Sequence, residues 1–312
     1  MKMKMPKNIN DFVLKDRESP GEDIKRIMNE LIDKALFYLD EGINENFDES
    51  VHEIRKCIKR IRAALRLIRD AAGRRHYRRE NYYFRDINRN LSEIRTIAVM
   101  IETLNKLGGE GLDEDYGKLQ HYFSALKDKI VYRLCEQENR LMNVREMLHR
   151  GKESLGRIAA GNSIDILLAG FVRVYRQCLK CMMAAMEEPG AAGLHEWRKK
   201  VKYMYYQMQI LKPLLPDDFL VYESQLDKLS EYLGSDHDLE ELECSLSGNK
   251  PAPGNIRKTM SAKRKITESR KEMQKALFEL SDQIFDEKLE SAIKNIPEAC
   301  RSVTVVKFGN FI

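Results

Sequence analysis

One six-residue stretch occurs twice, 143 positions apart, and it restricts the folds open to this chain more than any other feature. Val51-His52-Glu53-Ile54-Arg55-Lys56 returns as Leu194-His195-Glu196-Trp197-Arg198-Lys199, and Lys59 then matches Lys202 at the same offset. Farther on, Leu91 to Val99 aligns with Leu233 to Glu241 at an offset of 142, which sets Arg95 opposite His237. Within 312 residues an offset of that size leaves room for two units of one kind, and duplication is the simplest account.

Each unit reads as helical. With only 8 Pro and 17 Gly, the breakers are few and clustered: Gly108 to Gly111, Gly151 to Ser163, Pro189 to Gly193, Pro213 to Pro216 and Ser247 to Pro253. Between them apolar residues recur at a period near 3.6. This predicts helices over 21–43, 50–72, 79–107, 115–150, 163–187, 194–212, 217–245 and 257–296. Four helices, a loop and four more give an all-α fold, either one elongated bundle or two four-helix bundles in close contact. The predicted divisions are a tail over 1–18, a first repeat over 19–156, a second over 157–298 and a tail over 299–312. Only Val303 to Phe308 hints at strand-like alternation.

The first motif helix has two faces. Ser50 and Glu53 have the spacing of a capping box. At about 100° per residue, Val51, Ile54, Ile58, Ile61, Leu65 and Ile68 make one apolar side. His52, Arg55, Lys59, Arg62 and Arg66 fall within roughly 80° beside it, flanked by Lys56, Arg60 and Arg69. From His52 to Arg95 there are 14 Lys or Arg against 5 Asp or Glu, while the whole chain carries only +5. Like charges four apart repel, so this row works against its own helix unless an anion lies along it. Arginine forks and lysine ammonium groups suit phosphate oxygens, and a row rising one turn at a time suits an extended polyanion. In the second copy Tyr203, Tyr205 and Gln209 stand where Arg60, Arg62 and Arg66 would be, which predicts a weaker site. The pattern predicts a water-accessible channel clear of neighbouring acids. Imidazoles among cations predict binding that tightens below about pH 6.5.

Other chemistries fit less well. Met1 to Asn8 is short and basic with no apolar stretch after it, and no run reaches membrane-spanning length. Six scattered Cys predict reduced thiols in a cytoplasmic protein, with Cys178 and Cys181 on one apolar helix face. Lys263-Arg264-Lys265 and Arg270-Lys271 read as solvent-exposed. No metal or cofactor is expected, because the histidines sit among cations that would repel a divalent ion. An enzyme acting on phosphoanhydrides lacks a P-loop or an acidic metal cluster. RNA or another nucleic acid stays open as an alternative, since Tyr77, Tyr82 and Tyr83 interleave with the arginines from Arg74 to Arg89 and could stack bases.

The motifs resemble a known family. His52-Glu53-Ile54-Arg55 with Lys59, Arg60 and Arg62 resembles the signature of the CHAD domain, the conserved-histidine alpha-helical domain. Leu194-His195-Glu196-Trp197-Arg198 with Lys202 and Tyr205 resembles its second copy. Leu233-Gly234-Ser235-Asp236-His237-Asp238-Leu239 is similar to its Leu-Gly to Asp-Leu stretch, and Ala276-Leu277-Phe278 with Phe285 to its closing helix. Arg95-Thr96 departs from the family's usual Arg-Asp. The resemblance implies two four-helix bundles related by a pseudo-two-fold, with a central basic groove that binds inorganic polyphosphate or other phosphate-rich polyanions. It also implies association with polyphosphate granules. A binding module rather than an enzyme is expected, because the motifs of phosphoanhydride enzymes are absent. The expected binding set is His52, Arg55, Lys56, Lys59, Arg62, Arg66, Arg85, Arg89, Arg95, His195, Arg198, Lys199, Lys202 and Tyr205.

Overall fold

The computed structural model describes residues 12–15, 19–108, 114–247 and 256–296, and every regular element among them is helical. In chain order the α-helices are α1 (Pro20–Phe37), α2 (Ile43–Glu45), α3 (Phe47–Leu67), α4 (Arg69–Ala72), α5 (Arg74–Asn90) and α6 (Ser92–Gly108). They continue with α7 (Glu114–Val131), α8 (Arg140–Gly156), α9 (Ile164–Glu187), α10 (Ala191–Leu211), α11 (Phe219–Ser247) and α12 (Ile256–Ile284). A further helix covers 287–296.

Local chemistry sets the starts. Ser19 caps α1, its hydroxyl accepting the Glu22 amide at 3.4 Å, and Pro20 supplies the first-turn φ. Asn46 caps α3 by accepting the Glu49 amide at 3.2 Å. The cap is thus Asn46 rather than Ser50, and α3 begins three residues earlier than the spacing suggested. Ser163 caps α9.

Helices α1, α3, α5 and α8 close into a ring of four neighbours. Helices α9, α10, α11 and α12 pack in succession, and α6 and α7 form a hairpin whose α6 lies on α11 and α12. The seam joins α3 to α9 and α10. One apolar core runs across it, from Leu14 through Ile58 and Phe84 to Trp197, Leu277 and Ile296. A second, smaller core joins Ile97 and Leu104 of α6, Phe123 of α7, Leu242 of α11 and Ile266 of α12.

Two glycines make close crossings. A Cβ at Gly170 on α9 would stand 2.5 Å from the Leu67 carbonyl oxygen of α3. A Cβ at Gly151 on α8 would stand 2.9 Å from the Phe84 ring of α5. Gly151 therefore lies inside a helix as a packing residue, where the sequence suggested a loop.

The expected helix over 79–107 divides at Leu91, whose φ of −103° and ψ of 2° interrupt α5 and α6. The expected helix over 115–150 divides at a π-helical turn, Tyr132–Gln137, and at left-handed Asn139. Arg270 is not a solvent-exposed cation: it pairs with Asp236 at 3.1 Å and Glu243 at 3.1 Å, tying α12 to α11. Much of the loops at 108–111 and 247–253 and all of the tail over Val303 to Ile312 lie outside the described residues. Among the described residues no helix is long and apolar enough to cross a membrane.

Candidate anion-binding cavity

The apolar side of α3 is buried as its spacing requires: Val51, Ile54, Ile58, Ile61, Leu65 and Ile68 are each at most 1% exposed. That burial turns His52, Arg55, Lys56, Lys59 and Arg60 towards a cavity of about 690 Å³. Helix α6 adds Arg95, Thr96, Val99 and Lys106, and α10 adds Arg198, Lys202, Tyr205 and Tyr206. The remaining wall is α11, with Asp227, Ser230, Glu231, Gly234, Ser235, His237, Asp238 and Glu241. Eight cationic side chains thus face four carboxylates.

Positions within this wall have identifiable causes. Arg55 donates from Nη1 to the Asn88 carbonyl at 2.6 Å, which steers its guanidinium between α3 and α5. Gly234 leaves room for Arg198: a Cβ there would lie 3.4 Å from Nη2 and 3.6 Å from Nε. The buried Arg198 Nε has no hydrogen-bond partner among the described residues. Lys202 lies 5.6 Å from the Tyr205 ring centre and 5.9 Å from that of Tyr206, within cation–π range of both. Arg60 rests over Phe12 at 4.7 Å and Tyr206 at 5.5 Å. Glu53 takes Lys56 at 2.8 Å and Lys34 at 3.2 Å, so it neutralises the edge of the row rather than its centre. Arg55, Lys59, Arg198 and Lys202 form no ion pair among the described residues.

The titrations follow from crowding. Burial, then Arg198, Arg55, Lys202 and Arg95, pull the Lys59 ammonium down to about 7. Burial, then Arg95 and Arg198, bring Arg55 down to about 10 against the opposing pull of Glu241. Burial and the Arg95 charge hold His52 near 4, and burial with Arg198 holds His237 near 3. On the opposite wall burial raises Asp238 and Glu241 above the usual carboxylate range. Each shift opposes the charged form, as burial requires and, for Lys59, Arg55, His52 and His237, as the neighbouring positive charges reinforce.

The structure gathers His52, Arg55, Lys56, Lys59, Arg95, Arg198, Lys202 and Tyr205 from the expected set. Others go elsewhere. Arg62 Nε and Arg66 Nη1 each donate to Asn81 Oδ1 at 3.1 Å, and Arg66 stacks on Tyr203 at 3.6 Å. Arg85 pairs with Asp86 at 2.9 Å and lies over Tyr82, and Arg89 reaches Asp86 at 3.5 Å. Lys199 pairs with Glu196 at 2.6 Å. His195 stands behind the wall, its ring 4.4 Å from that of His237.

The cavity also holds residues outside the expected set. Arg60 and Lys106 add charge, and His237 enters where only its match to Arg95 was evident. The channel is not clear of acids: Asp227, Glu231, Asp238 and Glu241 line it. Gly234, Asp238 and Glu241 recur at helical spacing on α11, a signal visible in the sequence but masked by the weak contrast between that helix's faces.

A family model described as the CHAD domain matches residues 26–247. A solved structure, the crystal structure of the CHAD domain from the plant Ricinus communis, matches with a TM-score of 0.57 and 17% identity. That match covers 96% of this chain and 97% of the plant one, and it shows a shared fold. No curated protein matches.

Proposed function

The chain belongs to the CHAD domain family, and from that premise we propose that it binds inorganic polyphosphate in the cavity between α3, α6, α10 and α11. The observation that carries this reading is the meeting of Arg55 and Lys59 from the first motif with Arg198 and Lys202 from the second, unpaired, at one cavity. Matching positions of a repeated motif thus face one space, which supports a duplicated architecture with a basic groove at its centre. Cations held this way carry a desolvation cost that a polyanion offsets, and phosphate oxygens supply the acceptors that Arg198 Nε lacks.

The role is binding rather than catalysis, because retention needs only charge and donors. Cytoplasmic residence, at polyphosphate granules, belongs to the same reading. Long-chain polyphosphate should bind with an affinity that falls steeply with salt, as counterion release requires of polyanions generally. The double variant Arg55→Ala/Arg198→Ala should weaken it at least about a hundredfold, two charge-assisted contacts being lost. Unchanged affinity in a calorimetric titration would remove the cavity from the proposal. Orthophosphate released during incubation with polyphosphate and Mg²⁺ would remove the restriction to binding.

A further inference from the structure

We propose that the outward face of α5 is a second binding surface, separate from the cavity, and that it takes single-stranded nucleic acid. The first turn of this helix carries Arg74 and Arg75, with Arg78 one turn on, and contains no acidic residue. Cations there oppose the helix dipole, which favours anions at an N-terminus. Among the described residues these three arginines have neither an ion pair nor a side-chain hydrogen bond. Gly73, the residue before the helix, offers no capping side chain, so first-turn amides remain open to an anion. Stability gains nothing from this arrangement, and a phosphate backbone would satisfy all of it.

The same face carries a stacking platform. Tyr82 is 50% exposed, and the Arg85 guanidinium lies 4.6 Å from its ring centre. Asp86 holds Arg85 at 2.9 Å, so the pair of flat groups is fixed in place. Polyphosphate has nothing to stack on an exposed ring. An unpaired base does, and aromatic or guanidinium planes bind bases with little regard to sequence. A lipid surface would call for several apolar side chains, whereas Tyr82 is the one large exposed apolar residue on α5. From Arg74 to Arg89 the face spans roughly 22 Å at 1.5 Å per residue, the reach of a short single-stranded segment. None of these residues lines the cavity.

The test is fluorescence polarisation with a labelled 20-nucleotide oligouridylate, and with a blunt RNA duplex of the same length, at fixed salt. Tyr82→Ala should weaken single-strand binding about tenfold, the loss of one stacked base, and Tyr82→Phe should retain it. Arg75→Glu/Arg78→Glu should abolish it, while Arg55→Ala/Arg198→Ala should leave it intact. Circular dichroism checks that each variant keeps its helices. Four outcomes each overturn the proposal: duplex bound as tightly as single strand, Tyr82→Ala indistinguishable from the parent, RNA binding lost in the cavity double variant, or Tyr82-dependent binding to phosphatidylglycerol vesicles with none to RNA.

Discussion

Lys59 carries its amine into a space where Arg55 on its own helix, Arg95 on α6, and Arg198 and Lys202 on α10 repel any further positive charge. His237, Asp238 and Glu241 face it from α11. With its pKa near 7 instead of 10.5, the amine is largely neutral above that pH when the cavity is empty. A bound polyanion favours the ammonium, so binding takes up a proton and affinity falls as pH rises from about 7 towards 10. Polyphosphate titrations at pH 7, 8 and 9 should show that slope, and Lys59→Met should flatten it. Folding obeys the opposite sign at this residue: between pH 7 and 10.5 the unfolded chain holds the extra proton, so stability rises with pH across that window. At pH 6 Lys59→Met should therefore stabilise the empty protein by about 1–4 kcal/mol in urea unfolding. The sequence pointed to histidine and a response below about pH 6.5. Burial instead holds His52 near 4 and moves the imidazole response to more acid solution. Gly234 offers a separate check. Gly234→Val would press methyl groups against the Arg198 guanidinium, and should weaken polyphosphate binding about tenfold with little change in Tm.

At the scale of the helix, angular position told which side of α3 faces inward but not what stands opposite. The six apolar positions named from spacing are all buried, because any helix with such a side must cover it. The polar row is continuous on the helix yet divided by its surroundings. His52 to Arg60 open onto the cavity, whereas Arg62 and Arg66 meet Asn81 of α5 and Tyr203 of α10. Asn81 and Tyr203 lie 19 and 137 positions from Arg62 and Arg66 respectively, so local periodicity could not foresee the division. The break at Leu91 was equally hidden, since no Pro or Gly marks it, and it lets α6 leave α5 and bring Arg95 to the cavity. The crossing of α9 over α3 depends on Gly170. Gly170→Ala should cost about 1–3 kcal/mol in denaturant unfolding, since the Leu67 backbone has to move.

Across the whole molecule the all-helical fold was legible, and which helices share an interior was not. The main core extends on both sides of the seam, and Gln207 of α10 donates to the Ala63 carbonyl of α3 at 3.0 Å within it. Residues 19–156 alone would expose the seam side of α3, and should bind a hydrophobic dye and melt without a sharp transition, while the 312-residue chain melts in one. The seam that fixes the two motif helices against each other has a statistical consequence. A cavity held in one shape shows a repeating ligand the same groups wherever along the ligand's length it is seated. A strand of identical units then has many equivalent placements, and each added placement raises the odds of occupancy without any added contact. Tenfold more placements are worth about 1.4 kcal/mol, so tightness should grow with the logarithm of strand length after the cavity itself is full.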